Sequence, residues 1–288
     1  MDEPGFDARA TVAWSGDEAL VAGQQGPGGG ARMMRYSDGR LTTVYRREDG
    51  YFAAVDRSAS YAWAVLGTPH PSRAGSEYTI LRSPDRGATW SVAGPVPFNS
   101  VAQLEAVSDS ELWVHARSAL GRSVDGGLTW DVVHAPGRRN ALDERLVATD
   151  GEVLLLSATS MRTRDGGDTW EPLGIDGKLV DTDDDWFLGE LADRLAVRDP
   201  SGEWHHLPWS HPEAWPLMLR VEGDTVQALT TGRTTEGIVR WFESRDGGRT
   251  WRKGWIVADD AFPSWAIAPD GTIFAFEVGF PYMRVRRP

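Results

Sequence analysis

The phrase SPDRGATW at residues 83–90 returns as SVDGGLTW (123–130), TRDGGDTW (163–170) and SRDGGRTW (244–251). A sentence repeated at a fixed spacing constrains the fold of a chain more than its overall composition does. The aspartates Asp85, Asp125, Asp165 and Asp246 are separated by 40, 40 and 81 residues. The last interval is close to two periods and asks for a worn copy in between. VRDPSGEW (197–204) supplies it, with Asp199 and Trp204 in register while Val197, Ser201 and Glu203 stand where Ser, Gly and Thr are usual. A second worn copy, YSDGRLTT (36–43), keeps Asp38 and Thr42 and loses the glycine and the tryptophan.

A second pattern runs between the copies. Pairs of alternating apolar and polar runs flank short Gly/Asp/Ser turns, as in TVAW-SGDE-ALVAG, QLEAV-SDSE-LWVHA and LMLRV-EGD-TVQALTT, and seven such hairpins can be counted. Residues of that kind tolerate the positive φ that tight antiparallel hairpins need. The second strands begin near 18, 60, 111, 152, 185, 225 and 272, a repeat of about 42 residues. Each unit reads strand, turn, strand, loop, strand, repeated phrase, strand. Four antiparallel strands per unit, repeated seven times, predict an all-β chain folded as a seven-bladed β-propeller, with a six-bladed one as the alternative. The expected blades within a single domain 1–288 are 10–46, 50–93, 97–135, 139–173, 176–207, 214–257 and 261–288. The last unit runs out before any repeated phrase, so residues 2–9 are expected to supply its outermost strand. With 41% hydrophobic residues the chain can bury a full core, and 32 Gly and 17 Pro punctuate the turns.

In S/T-x-D-x-G-x-T-W the aspartate is placed to accept backbone N–H groups of the turn that follows, while the glycine takes the left-handed conformation. The first hydroxyl ties the turn to its own hairpin, and the tryptophan opens the fourth strand with a large face to pack. This pattern resembles the Asp-box family of β-propellers, also called bacterial neuraminidase repeats (BNR). The family includes sialidases, some plant-polysaccharide hydrolases, sortilin-type receptors and photosystem II assembly factors. The resemblance spans the chain through its repeats and implies structural roles for Asp38, Asp85, Asp125, Asp165, Asp199 and Asp246. It further implies that the boxes lie between the third and fourth strands, near the rim, on the face opposite to the one used for ligands. It is specific for fold and not for activity.

Charge narrows the partners. A net charge of −12 and a pI near 5.0, with no Lys/Arg-rich run to offset them, exclude a nucleic-acid backbone as the expected partner. No stretch reaches the roughly 18 apolar residues of a membrane span. MDEPGFDARA has neither the basic start nor the apolar middle of a leader, so the protein is expected to be soluble, either cytoplasmic or exported with its leader removed. Cysteine is absent, which removes disulfides, thiolate metal sites and thiol nucleophiles together.

If the boxes occupy one face, the opposite mouth is built from segments 23–31, 67–77, 189–194, 231–238 and 278–282, and from the blade-joining segments 46–52, 94–100, 134–144, 207–216 and 257–265. Arg47, His70, Arg139, Trp209, His211, Trp215, Arg233, Trp265 and Tyr282 are the ligand-binding candidates there, and Trp209, Trp215, Phe262 and Trp265 form an aromatic group able to stack on a sugar or grip a peptide. A sialidase needs three arginines, a Tyr/Glu pair and an acidic Asp. Arg47, Arg139, Arg233, Glu144, Asp259, Asp260 and Tyr282 supply the residue types, but the Arg-Ile-Pro phrase of that family is missing. A more general glycoside hydrolase needs two carboxylates about 5–10 Å apart, for which Asp143, Glu144, Asp259 and Asp260 are the catalytic candidates. His205 and His206 are adjacent on an expected outer strand and should point to opposite faces, which disfavours joint ligation. The run DTDDD (181–185) lacks the Gly and distal Glu of a calcium loop and reads as a hairpin turn. GPGGG (26–30) lacks the Lys-Ser/Thr ending of a phosphate loop. No metal and no cofactor are expected. The leading expectation is a monomeric binding or scaffold propeller for a protein or carbohydrate partner, and the alternative is an enzyme of the glycoside hydrolase class.

Overall fold

The computed structural model describes residues 6–26, 29–70, 72, 75–117, 119–134, 144–149, 151–208, 214–232, 238–257, 264–276 and 283–286. The regular structure of these residues is entirely β, and the chain divides into two compact units, residues 1–142 with 263–288, and residues 143–262.

The first unit holds four sheets. β1 (Phe6–Ser15), β2 (Glu18–Gln25), β3 (Ala31–Ser37) and β4 (Arg40–Arg46) form blade 1, and β5 (Tyr51–Arg57), β6 (Ala62–Pro69), β7 (Ser76–Ser83) and β8 (Ser91–Val96) form blade 2. Blade 3 is β9 (Gln103–Ala106), β10 (Leu112–His115), β11 (Leu120–Ser123) and β12 (Asp131–Val133). The second unit holds blade 4, β13 (Arg145–Thr149), β14 (Glu152–Leu156), β15 (Met161–Thr163) and β16 (Glu171–Pro172). Blade 5 follows as β17 (Lys178–Asp183), β18 (Trp186–Leu191), β19 (Arg194–Arg198) and β20 (Trp204–His206), and blade 6 as β21 (Ala214–Glu222), β22 (Thr225–Gly232), β23 (Ile238–Ser244) and β24 (Arg252–Val257). In each sheet the strands pair antiparallel in chain order, as four-stranded blades of a β-propeller do.

Among the described residues the complete four-stranded blades number six, the alternative count, and not seven. β25 (Trp265–Ile267), β26 (Ile273–Phe276) and β27 (Met283–Arg286) form a three-stranded sheet in the first unit. Residues 6–9, expected to close this sheet, instead continue β1 against β2, with Phe6 opposite Gln25. The reason is burial: Phe6 and Ala8 pack on Val21 and Met34 of their own blade, so the apolar face of the N-terminal run is used up there.

Sequence pattern explains the layering. The second strand of each blade carries a near-continuous apolar run, such as AWAVLG in β6, LWVH in β10 and VLLL in β14, because both of its faces are covered. Fourth strands are the exposed edges, as in β4 and β16. Within each unit the core therefore lies between consecutive blades. Leu20, Ala22 and Met33 of blade 1 pack on Phe52, Ala64 and Leu66 of blade 2, and Trp63 and Val65 of blade 2 pack on Leu112 and Val114 of blade 3. In the second unit Leu154 and Leu156 meet Leu179, and Leu188 and Val197 meet Leu219 and Phe242.

The repeated phrase forms the turn between the third and fourth strands of blades 2, 3, 4 and 6. At Asp85, Asp125, Asp165 and Asp246 one carboxylate oxygen accepts the preceding Ser/Thr hydroxyl at 2.8–2.9 Å and the N–H of the Thr four residues on at 2.8–2.9 Å. The other oxygen takes that threonine's hydroxyl at 2.5–2.7 Å. The glycine two residues after each aspartate donates its N–H to the Ser/Thr hydroxyl and has positive φ. This glycine also docks the turn on the preceding blade, since a Cβ on Gly127 would sit 3.2 Å from Ile80 and one on Gly87 2.8 Å from Leu20. Asp38 differs. Ser37 pairs directly with Arg40, and Asp38 and Gly39 both have positive φ, so YSDGR is a two-residue hairpin with no room for the longer turn.

Candidate functional site

Every blade has one end that carries the turn between strands one and two and the turn between strands three and four, and an opposite end where strand one begins. The innermost strands are irregular near the second end. A one-residue bulge falls at Arg9 in β1, Ala53 in β5, Val180 in β17 and Leu217 in β21. Bulges re-aim side chains and free backbone groups from the ladder. Glycine on the partner strand permits the distortion, because a Cβ on Gly23 would lie 1.9 Å from the Asp7 carbonyl oxygen and one on Gly189 2.5 Å from that of Lys178.

In the first unit the bulge lays the Arg9 guanidinium over the ring of Tyr51 in the next blade, 4.6 Å from its centroid. Asp7 and the Gln24 side-chain oxygen steady it, at 3.3 and 3.1 Å. The Tyr51 hydroxyl bonds the Tyr78 hydroxyl at 2.6 Å, and burial, then Tyr51, pushes the Tyr78 phenol up to about 12. The Tyr78 phenol is therefore a neutral hydrogen-bonding group at physiological pH. Two candidates lie at the same end. His70 Nδ1 accepts the Ser72 N–H at 3.1 Å while its Nε2 is 3.2 Å from Glu77, and Arg47 is bonded to Asp49, which holds the guanidinium pKa above its usual value.

In the second unit Arg145, the first residue of β13, extends across blade 5 to blade 6. Its Nε lies 3.4 Å from Asp181 and its Nη1 donates to the carbonyl of the bulged Leu217 at 2.9 Å. Asp181 also accepts the Leu219 N–H at 2.7 Å. Burial pushes the Asp181 carboxyl up, with Arg145 opposing it. Asp183 is also pushed up by burial, opposed by the Val221 N–H and Arg220. The first two acidic residues of DTDDD thus join blade 5 to blade 6, and only Asp184 and Asp185 form the expected turn, both with positive φ. The half-buried Glu144 stands directly before Arg145.

Of the remaining candidates, Trp265 is buried in β25, and Trp215 lies on β21 opposite Thr231. Arg139, Asp143, Trp209, His211, Arg233, Asp259, Asp260, Phe262 and Tyr282 lie outside the described residues. The sequence placed Tyr51 in the mouth segment 46–52 without singling it out and marked neither Arg9 nor Arg145, whose positions depend on bulge register and on the neighbouring blade. His205 and His206 alternate on β20 as expected, yet His205 comes together with Asp199 and Glu203, their ligand atoms all within 4.8 Å of one another.

No known family signature matches the chain, and no curated protein matches its sequence. Solved structures do resemble it. A GH74 enzyme of Niastella koreensis superposes with a TM-score of 0.67 at 15% identity, over 99% of this chain and 52% of that one, so the chain spans about half the length of that enzyme. YCF48 from Cyanidioschyzon merolae gives 0.60 at 15% identity, covering 100% and 96% of the two chains. Virginiamycin B lyase from Staphylococcus aureus gives 0.62 at 13% identity, covering 96% and 92%. These likenesses establish the β-propeller fold. Since the same fold serves a GH74 enzyme, a lyase and YCF48, it does not by itself assign catalysis.

Proposed function

We propose that the chain is a monomeric binding or scaffold propeller of the Asp-box type, recognising a protein or carbohydrate partner at the blade ends opposite the repeated turns. The observation that carries this reading is the Arg9 guanidinium over the Tyr51 ring at that end, with the Tyr51 hydroxyl bonded to that of Tyr78. A cation on an aromatic face offers stacking area, directional donors and a fixed geometry, the combination that recognition surfaces favour. The carboxylates whose protonation is raised, Asp181 and Asp183, serve instead as acceptors for amides of the next blade. That use supports a scaffold role for them and not acid catalysis.

Binding to a glycan array, capture of protein partners compared between wild type and Arg9→Ser, and turnover of fluorogenic glycosides including a sialoside test the reading together. The expected result is ligand binding that Arg9→Ser removes without lowering Tm, and turnover at background. Turnover that disappears on changing Asp143, Glu144, Asp259 or Asp260 would replace this reading with a glycoside hydrolase.

A further inference from the structure

The turn of blade 5 is the worn copy, and its departures from the pattern are chemically specific. In the four regular turns the second carboxylate oxygen is occupied by a threonine hydroxyl, and the residues six positions after the aspartate are Ser91, Asp131, Glu171 and Arg252. Around Asp199 the threonine is replaced by Glu203, and the sixth residue is His205, whose Nε2 lies 2.9 Å from Asp199 Oδ2. The turn itself closes by other means. Oδ1 accepts the Ser201 hydroxyl at 2.6 Å and the Glu203 N–H at 2.8 Å, which restores the anchorage lost with Val197. Oδ2 and the Glu203 carboxylate are therefore not required by the backbone of the turn.

We propose that Asp199 Oδ2, the Glu203 carboxylate and His205 Nε2 form a three-ligand site for a borderline divalent transition cation, of which zinc is the representative. Ligands bound tetrahedrally at about 2.0–2.2 Å lie about 3.3–3.6 Å apart. The three atoms all fall within 4.8 Å of one another, and the His205–Asp199 pair is at 2.9 Å. The close pair has to open slightly, and the widest separation has to close by about 1 Å to reach that geometry. Glu203 is exposed and free to swing, whereas Asp199 and His205 are largely buried and held. The imidazole lies between its own blade and the next. A Cβ on Gly248 of blade 6 would meet its Cδ2 at 3.2 Å, and the Trp186 ring of blade 5 lies 6.3 Å away.

The donor set selects the metal. Calcium and magnesium take oxygen ligands, while one imidazole with two carboxylates suits zinc and leaves a fourth position for water. Coordination through Nε2 requires the tautomer with the proton on Nδ1 and the deprotonated carboxylate of Asp199. Because the turn closes without the ion, binding stabilises a preformed site and does not fold it.

The test is a titration of the chelator-stripped full chain with zinc chloride, read by calorimetry and by Tm, with calcium and magnesium chloride as comparisons. One zinc per chain, a raised Tm and no response to calcium or magnesium are expected. Cobalt chloride should give visible absorption of tetrahedral intensity. His205→Gln should weaken zinc binding by more than about 10-fold, since even residues behind a ligand cost that much. Glu203→Gln keeps the backbone N–H that holds the turn, so its loss of zinc at unchanged Tm of the metal-free protein separates ligation from folding. His206→Gln should bind as wild type. Absence of zinc uptake, or uptake that survives both His205→Gln and Glu203→Gln or follows His206, would overturn the proposal.

Discussion

At Asp125 one oxygen accepts the Ser123 hydroxyl at 2.8 Å and the N–H groups of Leu128 and Thr129 at 3.0 and 2.9 Å, while the other takes the Thr129 hydroxyl at 2.6 Å. The Thr129 hydroxyl and N–H foremost pull this carboxyl down to about 2 from an ordinary 3.8. Thr129→Val keeps the shape and the N–H and deletes the hydroxyl, so the Asp125 pKa should rise toward 3.8, which a carbon-detected NMR titration of the carboxyl would read. An unmoved pKa would mean that the backbone amides alone set it. The glycine of the same turn makes a separate contribution. Gly127 has φ +86° and faces Ile80 of the preceding blade. Gly127→Ala should cost roughly 1–2 kcal/mol from the left-handed backbone, plus the displacement of Ile80, measured by urea unfolding. Gly151, with φ +80° and nothing within 4 Å of a Cβ, is the comparison in which only the backbone cost should appear.

At the level of strands, the chain announces those elements that its own local chemistry closes and hides those closed by a neighbour. The four regular turns are legible because the hydrogen bonds of their Asp and first Ser/Thr side chains run between residues at most four apart. Hairpin strands are legible from alternation and turn residues. Asp38 was misleading because Ser-Asp-Gly-Arg suits a two-residue hairpin as well as the start of the longer turn, and only the Ser37–Arg40 pairing decides between them. The roles of Asp181 and Asp183 were invisible, since a run of aspartates looks the same whether its carboxylates face water or the amides of Leu219 and Val221. The same holds for Arg9 on Tyr51, where a one-residue bulge sets the aim. These contacts carry consequences at the scale of the strand. Asp181→Ala leaves Arg145 without its carboxylate and the Leu219 N–H without its acceptor, both at a buried join between blades. A loss of about 1–3 kcal/mol is expected, the cost of leaving the buried Leu219 N–H without its acceptor. Asp181→Asn retains an acceptor and should cost less, and equal costs for the two in equilibrium unfolding would rule out the hydrogen bond as part of the join.

Across the whole molecule the acid response sums opposing groups. Asp125, Asp165, Asp199 and Asp246 are held at about 2 in the fold, against an unfolded value near 3.8. A depressed carboxyl contributes stability that is complete above 3.8 and lost as pH falls through about 2. Asp181 and Asp183 act with the other sign, because their raised pKa values mean that the fold disfavours the ionised form and is relieved when they take up protons. The lowered group is the larger, and Asp85, Asp109, Asp270 and Glu18 belong to it as well. A further contribution comes from net charge, −12 at pH 7, which shrinks toward zero at the pI near 5.0 and so removes self-repulsion on the way down. Tm is therefore expected to hold or rise from pH 7 to about 5 and then to fall across the window from 3.8 to about 2. Replacing Asp125, Asp165 and Asp246 together by Asn should lower Tm at pH 7 and make the fall below 3.8 shallower, since three of the groups whose protonation drives it are gone. A decline that begins between pH 7 and 5 and survives in that triple variant would rule out the lowered carboxyls as the source of the acid sensitivity.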